Sequence, residues 1–209
     1  MIDLQKNINN VLKKAKSQSN AVILSLKWYE KEMKDKRSKS LFKLNLTDQF
    51  KAGRIYRFNY VAQTPELPYY DTNPIIISLG RIKFKNSICE RGINLNCLPM
   101  DVRHYVLTRI FKSYGNIIGK QIGEPVKDQD GLPLNFRVVK NLLNSVYAEY
   151  AIRNYFISYK TDVHCISYEN WDKAAFIETD KFIGANKGQV RIDYYNYIKL
   201  KMINKINKD

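Results

Sequence analysis

The stretch Gly53-Arg54-Ile55-Tyr56-Arg57-Phe58-Asn59-Tyr60, followed by Pro74-Ile75-Ile76-Ile77-Ser78-Leu79-Gly80 and Arg81-Ile82-Lys83-Phe84-Lys85, decides the fold class. β-Branched and aromatic residues dominate these runs, and Pro, Asn and Gly stand between them, as expected for strands joined by turns. In the first run Ile55, with Phe58, is set against Tyr56 and Tyr60, while Arg54 and Arg57 are interposed. Ile75 to Leu79 has the continuous apolar character of a buried strand, and Arg81 to Lys85 alternates basic outward and apolar inward. Ile88 to Leu95 adds a further strand with a bulge or kink at Gly92. Short strands at about residues 50–98 make a small antiparallel sheet that needs helices packed on it.

Helical spacing appears on both flanks. Leu4, Ile8, Val11, Leu12 and Ala15 form the stripe of an amphipathic helix ringed by Lys6, Lys13, Lys14 and Lys16. Ser17 to Asn20 breaks it, and Ser19 or Asn20 caps a second helix in which Val22, Leu26, Tyr29 and Met33 line one side. Residues 1–43 hold eleven Lys/Arg against four acids, a basic helical arm of charge +7. Downstream, Met100 to Tyr114 is predicted helical and ended by Gly115, giving a helix at about 100–115. Residues 115–135, rich in Gly and Pro, form the longest irregular connection, and Val139, Leu142, Leu143, Val146 and Tyr150 predict a helix at about 136–157. Val163 to Tyr168 reads as a strand and Gln189 to Ile206 as a basic C-terminal helix. The fold class is α+β: a small, bent antiparallel sheet or partly closed barrel flanked by helices, with residues 44–209 as one domain.

The chain has 209 residues, 44% of them hydrophobic and 26% charged, which excludes disorder and suits an ordinary globular domain. No apolar run reaches membrane-spanning length, and Met1-Ile2-Asp3-Leu4-Gln5 has no secretory n-region, so neither membrane insertion nor secretion is expected. Cys89, Cys97 and Cys165 are odd in number and without a C-x-x-C pair, the pattern of reduced thiols. His164 and Cys165, adjacent on a strand, point to opposite sides and make a poor zinc site with the other two cysteines. Against 20 acidic residues stand 35 basic ones, a net charge of +15 that points to a polyanionic partner.

Signatures of catalysis are missing. A metal-dependent nuclease needs clustered carboxylates, but after Asp71 the next candidate strand offers only Lys83 and Lys85. Asp128 and Asp130 open like a calcium loop, yet Val139 stands where the closing Glu belongs. No phosphate-binding Gly-x-x-x-x-Gly-Lys-Ser/Thr run occurs, and neither His104 nor His164 has a nucleophilic partner. The expectation is a protein that is not an enzyme and carries no cofactor and no metal.

The strings Leu67-Pro68-Tyr69-Tyr70-Asp71-Thr72-Asn73-Pro74 and Gly92-Ile93-Asn94-Leu95-Asn96-Cys97-Leu98-Pro99, with Arg103, resemble a family of small virion proteins of tailed bacteriophages. These are the DNA end-protector proteins akin to the gene 2 product of the T-even phages. Gly53 to Tyr60, Trp171-Asp172-Lys173-Ala174-Ala175-Phe176 and Phe182-Ile183-Gly184-Ala185-Asn186-Lys187 extend the likeness over roughly residues 50–190. The chain departs from the family pattern at Cys97, where an aromatic residue is usual, and in its long basic N-terminal arm. Physically, the string is a structural device: its prolines pre-set an extended turn, Asp71 caps its own loop, and Tyr69 and Tyr70 close the core.

The resemblance implies a non-enzymatic phage virion or head-completion protein that binds DNA and protects the packaged end. The alternative is a structural adaptor of the neck, tail or baseplate whose basic arms bind acidic neighbours. Expected partners are DNA and other phage structural proteins, with no membrane and no small-molecule substrate; the expected location is the virion, and the host cytoplasm during assembly. Basic residues and aromatics interleave on the strands, so the DNA contacts are placed on Arg54, Arg57, Arg81, Lys83 and Lys85, where Tyr56 and Tyr60 could stack on unpaired bases. Lys34, Lys36, Arg37 and Lys39 form an accessory clamp.

Overall fold

Strand pairing begins from the apolar run that dominates the sequence. In the computed structural model, which describes residues 3–39, 50, 52–62, 68–84, 86–121, 146–166, 170–179 and 182–207, that run is β3 (Ile75–Phe84). It lies between β1 (Ile55–Tyr60) and β4 (Ser87–Asn94) in a five-stranded antiparallel sheet of order β5-β4-β3-β1-β6, where β5 is Ile152–Phe156 and β6 is Lys160–Ile166. A second, two-stranded sheet pairs β2 (Tyr70–Asp71) with β7 (Phe182–Ile183). Among the described residues the helices are α1 (Leu4–Ala15), α2 (Gln18–Lys39), α3 (Met100–Gln121), α4 (Val146–Glu149), α5 (Trp171–Ala174) and α6 (Lys187–Ile206).

The sheet is strongly curled. β5 and β6 are its opposite edges, yet only the 3-10 turn Ile157–Tyr159 separates them in sequence. In a flat sheet β5 would stand about 14 Å from β1, three strand spacings away. The rings of Tyr60 on β1 and Tyr155 on β5 are nevertheless 5.0 Å apart, and those of Phe58 and Tyr155 are 5.2 Å apart. The two edges therefore approach at one end, but among the described residues no ladder joins β5 to β6 and the sheet is not closed. The α+β class with a bent antiparallel sheet and flanking helices is what the structure shows.

Each face of the sheet has its own core. Ile55, Ile75, Ile77 and Ile93 point to the convex face, where they join Leu4 and Ile8 of α1, Val106, Leu107 and Ile110 of α3, Trp171 of α5 and Tyr194 and Ile198 of α6. The concave face holds Tyr56, Phe58, Tyr60, Ile76 and Tyr155, with Phe50 packed on Tyr56 at 4.4 Å and the Lys160 ammonium 3.5 Å from the Phe50 ring. Phe58 thus accompanies Tyr56 and Tyr60 rather than Ile55.

Several local expectations change. The sheet is not confined to residues 50–98, because β5 and β6 come from 152–166. Residues 152–156, expected to continue a helix from 136, form a strand instead: β4 offers an edge, and Ile152, Tyr155 and Phe156 suit pairing, Ile93 with Ile152 and Cys89 with Phe156. The remainder of that expected helix before 146, and the irregular connection from 122 onward, lie outside the described residues. Gly115 does not end α3, which runs on to Gln121. The cap of α2 is Ser17, whose hydroxyl accepts from the Asn20 N–H at 3.1 Å. Nor does Gly92 make the kink: the ladder shifts between Ser78 and Gly80 on β3, where Gly80 has φ +96°, while Gly92 opposite lets Ile76 lie against bare backbone.

Candidate nucleic-acid interface

The strings that carry the family likeness converge on one buried polar node. Asp71, 4% exposed, accepts from the Asn73 backbone N–H (2.9 Å), from Asn94 Nδ2 (3.2 Å) and from Asn96 Nδ2 (2.7 Å). Asn96 Oδ1 in turn accepts from Arg103 Nη2 at 3.4 Å, so one amide is interposed between a buried carboxylate and a buried guanidinium. Arg103, 1% exposed, also donates through Nη1 to the carbonyls of Ile177 (2.6 Å) and Ala175 (3.4 Å). Burial pushes the Asp71 carboxyl up despite these donors, and lowers the Arg103 guanidinium to about 10. Tyr69 and Tyr150 share a hydrogen bond between hydroxyls, and the Tyr69 ring meets Phe182 edge-on. The node joins β2, the turn after β4, α3 and the segment after α5, and its groups are turned on the chain itself.

The open site lies across Asn73. The inner stripe of α2, with Leu26, Tyr29 and Met33, runs past the helical core and roofs a cleft of about 360 Å³ over the convex side of β1 and β6. Arg57 lies beneath it, its guanidinium carbon 4.3 Å from the centroid of the Tyr29 ring, and the His164 ring meets Tyr29 edge-on at 6.4 Å. Across the floor, Asn73 Nδ2 donates to Asn59 Oδ1 (2.7 Å) and Asn59 Nδ2 donates to Asp162 Oδ2 (2.7 Å). Asp162 has φ +50° and occupies a bulge: Arg57 pairs with His164 and Asn59 with Thr161, leaving Asp162 and Val163 opposite Phe58 alone. Such a bulge re-aims a side chain, here the carboxylate, at Asn59. Lys34 and Glu30 complete the rim from α2.

The predicted DNA contacts are distributed over several surfaces. Arg57 and Lys34 line the same cleft. The ladder sets Arg57 opposite Ile75 on the convex face, but sets Arg81 opposite Glu90 and Lys83 opposite Ile88, on the concave side with Ile76, Ser78 and Glu90. Arg81 and Lys83 are exposed on the extended β3–β4 hairpin, and Ser78 hydrogen-bonds the buried Glu90 beneath them. Arg54, half-buried, precedes β1 with its carbonyl accepting from Ser78 N–H at 2.9 Å. Lys36, Arg37 and Lys39 belong to the last turns of α2, but their side chains lie outside the described residues, as does Lys85. Tyr56 and Tyr60, expected to stack on bases, are 2% and 5% exposed in the concave core and cannot do so. Sequence reading missed Tyr29, Asn59, Asp162 and His164 as one group, since α2, β1 and β6 are far apart in the chain; the only local signal was Tyr29 on the apolar stripe of α2.

Fold and site together define a basic α+β protein with a curled sheet, two lysine-bearing N-terminal helices and a helix-roofed polar cleft. The chain belongs to the family of the phage T4 terminal DNA protecting protein, whose model matches residues 1–194. Neither the curated proteins nor the solved structures contain a match.

Proposed function

We propose that this protein binds DNA at or near a terminus as a stoichiometric, non-enzymatic cap and so shields the packaged end of a phage genome, in the virion and during its assembly. The observation that carries the reading, beside the family, is the charge on the outer faces of α1 and α2. Lys6, Lys13, Lys14, Lys16, Lys27, Lys31 and Lys34 are all exposed, and α2 sets Lys34 at the cleft. Lysines on a helix flanking a cleft neutralise backbone phosphates without reading sequence, which is what a protein blind to genome sequence but placed at its end requires. The test is digestion of linear duplex by an exonuclease with one or two protein molecules per end. The expected result is protection of the termini that weakens steeply as salt rises; unprotected ends at low salt would reject the reading.

A second reading, a structural adaptor of the neck, tail or baseplate, is favoured by α6. Val190, Tyr194 and Ile198 bury one side of this helix, while Ile192, Tyr195, Met202 and Ile203 are exposed on the other. A helix apolar on two sides suits contact with another protein, and the exposed Lys199 beside it suits an acidic one, whereas Arg191 and Lys201 are paired with Glu178 and Glu149 of the chain itself. Copy number and position in purified virions separate the readings: a symmetric ring is an adaptor, and one or two copies at the genome end are a cap.

A further inference from the structure

We propose that the cleft beneath α2 receives a single unpaired nucleotide at the DNA end, base inward and phosphate outward. This rests on the end-binding reading and specifies what part of the end is held.

Size is the first constraint. At about 360 Å³ the cleft is at the lower end of small-molecule sites, roughly 300–1,000 Å³, which suits one nucleotide. With α2 above and the sheet below, a base can enter only after leaving its partner.

Charge decides which part of the nucleotide goes in. Lys34 and Arg57 line the cleft together with Glu30 and Asp162, so no net positive charge awaits a phosphate inside it. A phosphate is better placed outside, by Lys34 and the exposed Lys27 and Lys31 on the same helix.

The walls of the cleft offer what a base needs. Arg57 is already laid on Tyr29, and guanidinium and aromatic planes are the surfaces on which unpaired bases stack. The amides of Asn59 and Asn73 and the carboxylate of Asp162 are fixed by mutual hydrogen bonds, so base-edge partners are arranged before the base arrives. Asp162 holds this position with a left-handed backbone at a bulge, a departure from strand geometry located at the cleft wall.

The experiment uses the full chain and DNA hairpins with one open end: blunt, or carrying a single unpaired 5′ or 3′ nucleotide, with 2-aminopurine as that nucleotide. Anisotropy should show one overhang polarity bound about 5- to 150-fold more tightly than the blunt end, the range of one stacked base, and the 2-aminopurine emission should fall on binding. The ratio of overhang to blunt affinity should fall with salt by no more than one phosphate contact, a log–log slope of about 0.7–0.9, because the overhang adds one phosphate and stacking itself releases no counterions. Tyr29→Leu should bring that ratio towards one. Arg57→Lys, which keeps the charge and removes the plane, should do the same if Tyr29→Leu does not fold. Equal affinity for blunt and both overhangs, unchanged 2-aminopurine emission, or a ratio whose log–log salt slope clearly exceeds about 1 would overturn the proposal. A covalently closed dumbbell bound as tightly as the open hairpins would instead overturn the end-binding reading beneath it.

Discussion

The buried node around Asp71 and the open cleft around Arg57 are built from the same residue types, a carboxylate, carboxamides, an arginine and tyrosines, and they meet at Asn73. The Asn73 backbone N–H bonds Asp71, while its side chain bonds Asn59 in the cleft. They differ in what their polar groups face. In the node, amides and carbonyls of the chain surround the two charges, so its chemistry holds four segments together. In the cleft a comparable set lies half open under α2, with room for a ligand. The most unusual string in the sequence is therefore architectural, and the recognition surface it supports is assembled from residues that stand out much less.

If that contrast is right, the two regions respond oppositely to substitution. Asp71→Ala leaves the buried Asn94 amide without its acceptor, removes one acceptor from Asn96 and takes away one of the two acidic charges, with Glu178, that favour the Arg103 guanidinium, which should cost about 2–4 kcal/mol. Urea unfolding is the measurement, and a loss below about 1 kcal/mol would show that the node is dispensable.

Gly184 should come next. It joins β7 to α6 with φ +86°, and a Cβ there would stand 2.4 Å from the Pro68 carbonyl oxygen and 3.3 Å from Tyr69 Cα. Both neighbours are backbone at the start of the node's loop and have little freedom to retreat. Gly184→Ala should cost about 2–4 kcal/mol, from left-handed strain plus overpacking, with a correspondingly lowered Tm.

How far the sequence discloses these regions follows from their physics. Alternation in Arg81 to Lys85 and the apolar run Ile75 to Leu79 are local patterns, so the sheet and the α+β class were legible in them. Asp71 capping its own loop was legible too, because the Asn73 N–H it bonds is two residues away. The strand at 152–156 was not: its pairing depends on the edge of β4, some sixty residues earlier. Neither was the separation of Arg57 from Arg81 and Lys83, since a single-residue bulge at Leu79 and the curl of the sheet decide which side each occupies. Tyr56 and Tyr60 look like stacking platforms until that curl encloses them.

His104 supplies a test of the node's surroundings through pH. Its ring meets Phe176 edge-on at 4.7 Å, Nε2 is buried with no hydrogen-bond partner among the described residues, and the neighbouring charges are Arg103 and Asp101. Burial, then the Arg103 charge, lowers its pKa to about 4 from an ordinary 6.5. The unfolded chain thus binds the extra proton between those values, and stability falls as pH drops through that window. The full shift would be worth about 3 kcal/mol, and partial exposure reduces this to about 2. Unfolding free energies at pH 7.5 and 5 should differ by about 1–2 kcal/mol, and His104→Gln should remove most of the difference.

The cleft should give the smallest stability effects and the clearest binding ones. Losing the Arg57–Tyr29 stack in Arg57→Gln costs about 0.5–1 kcal/mol, as for a partly exposed cation–π pair. Lys34→Gln, at an exposed helical position, should change stability by less than about 0.5 kcal/mol. Salt dependence then separates the roles. If Lys34 contacts a phosphate and Arg57 stacks on a base, Lys34→Gln lowers the log–log salt slope by about 0.9, while Arg57→Gln weakens binding with little change in slope. The double variant Arg81→Gln, Lys83→Gln applies the same measurement to the hairpin on the opposite face. A slope reduced by about 1.8 would mean that duplex DNA reaches around the curled sheet to both faces. An unchanged slope would confine the DNA to the side of α2, and the extended hairpin would then be free to meet a protein neighbour.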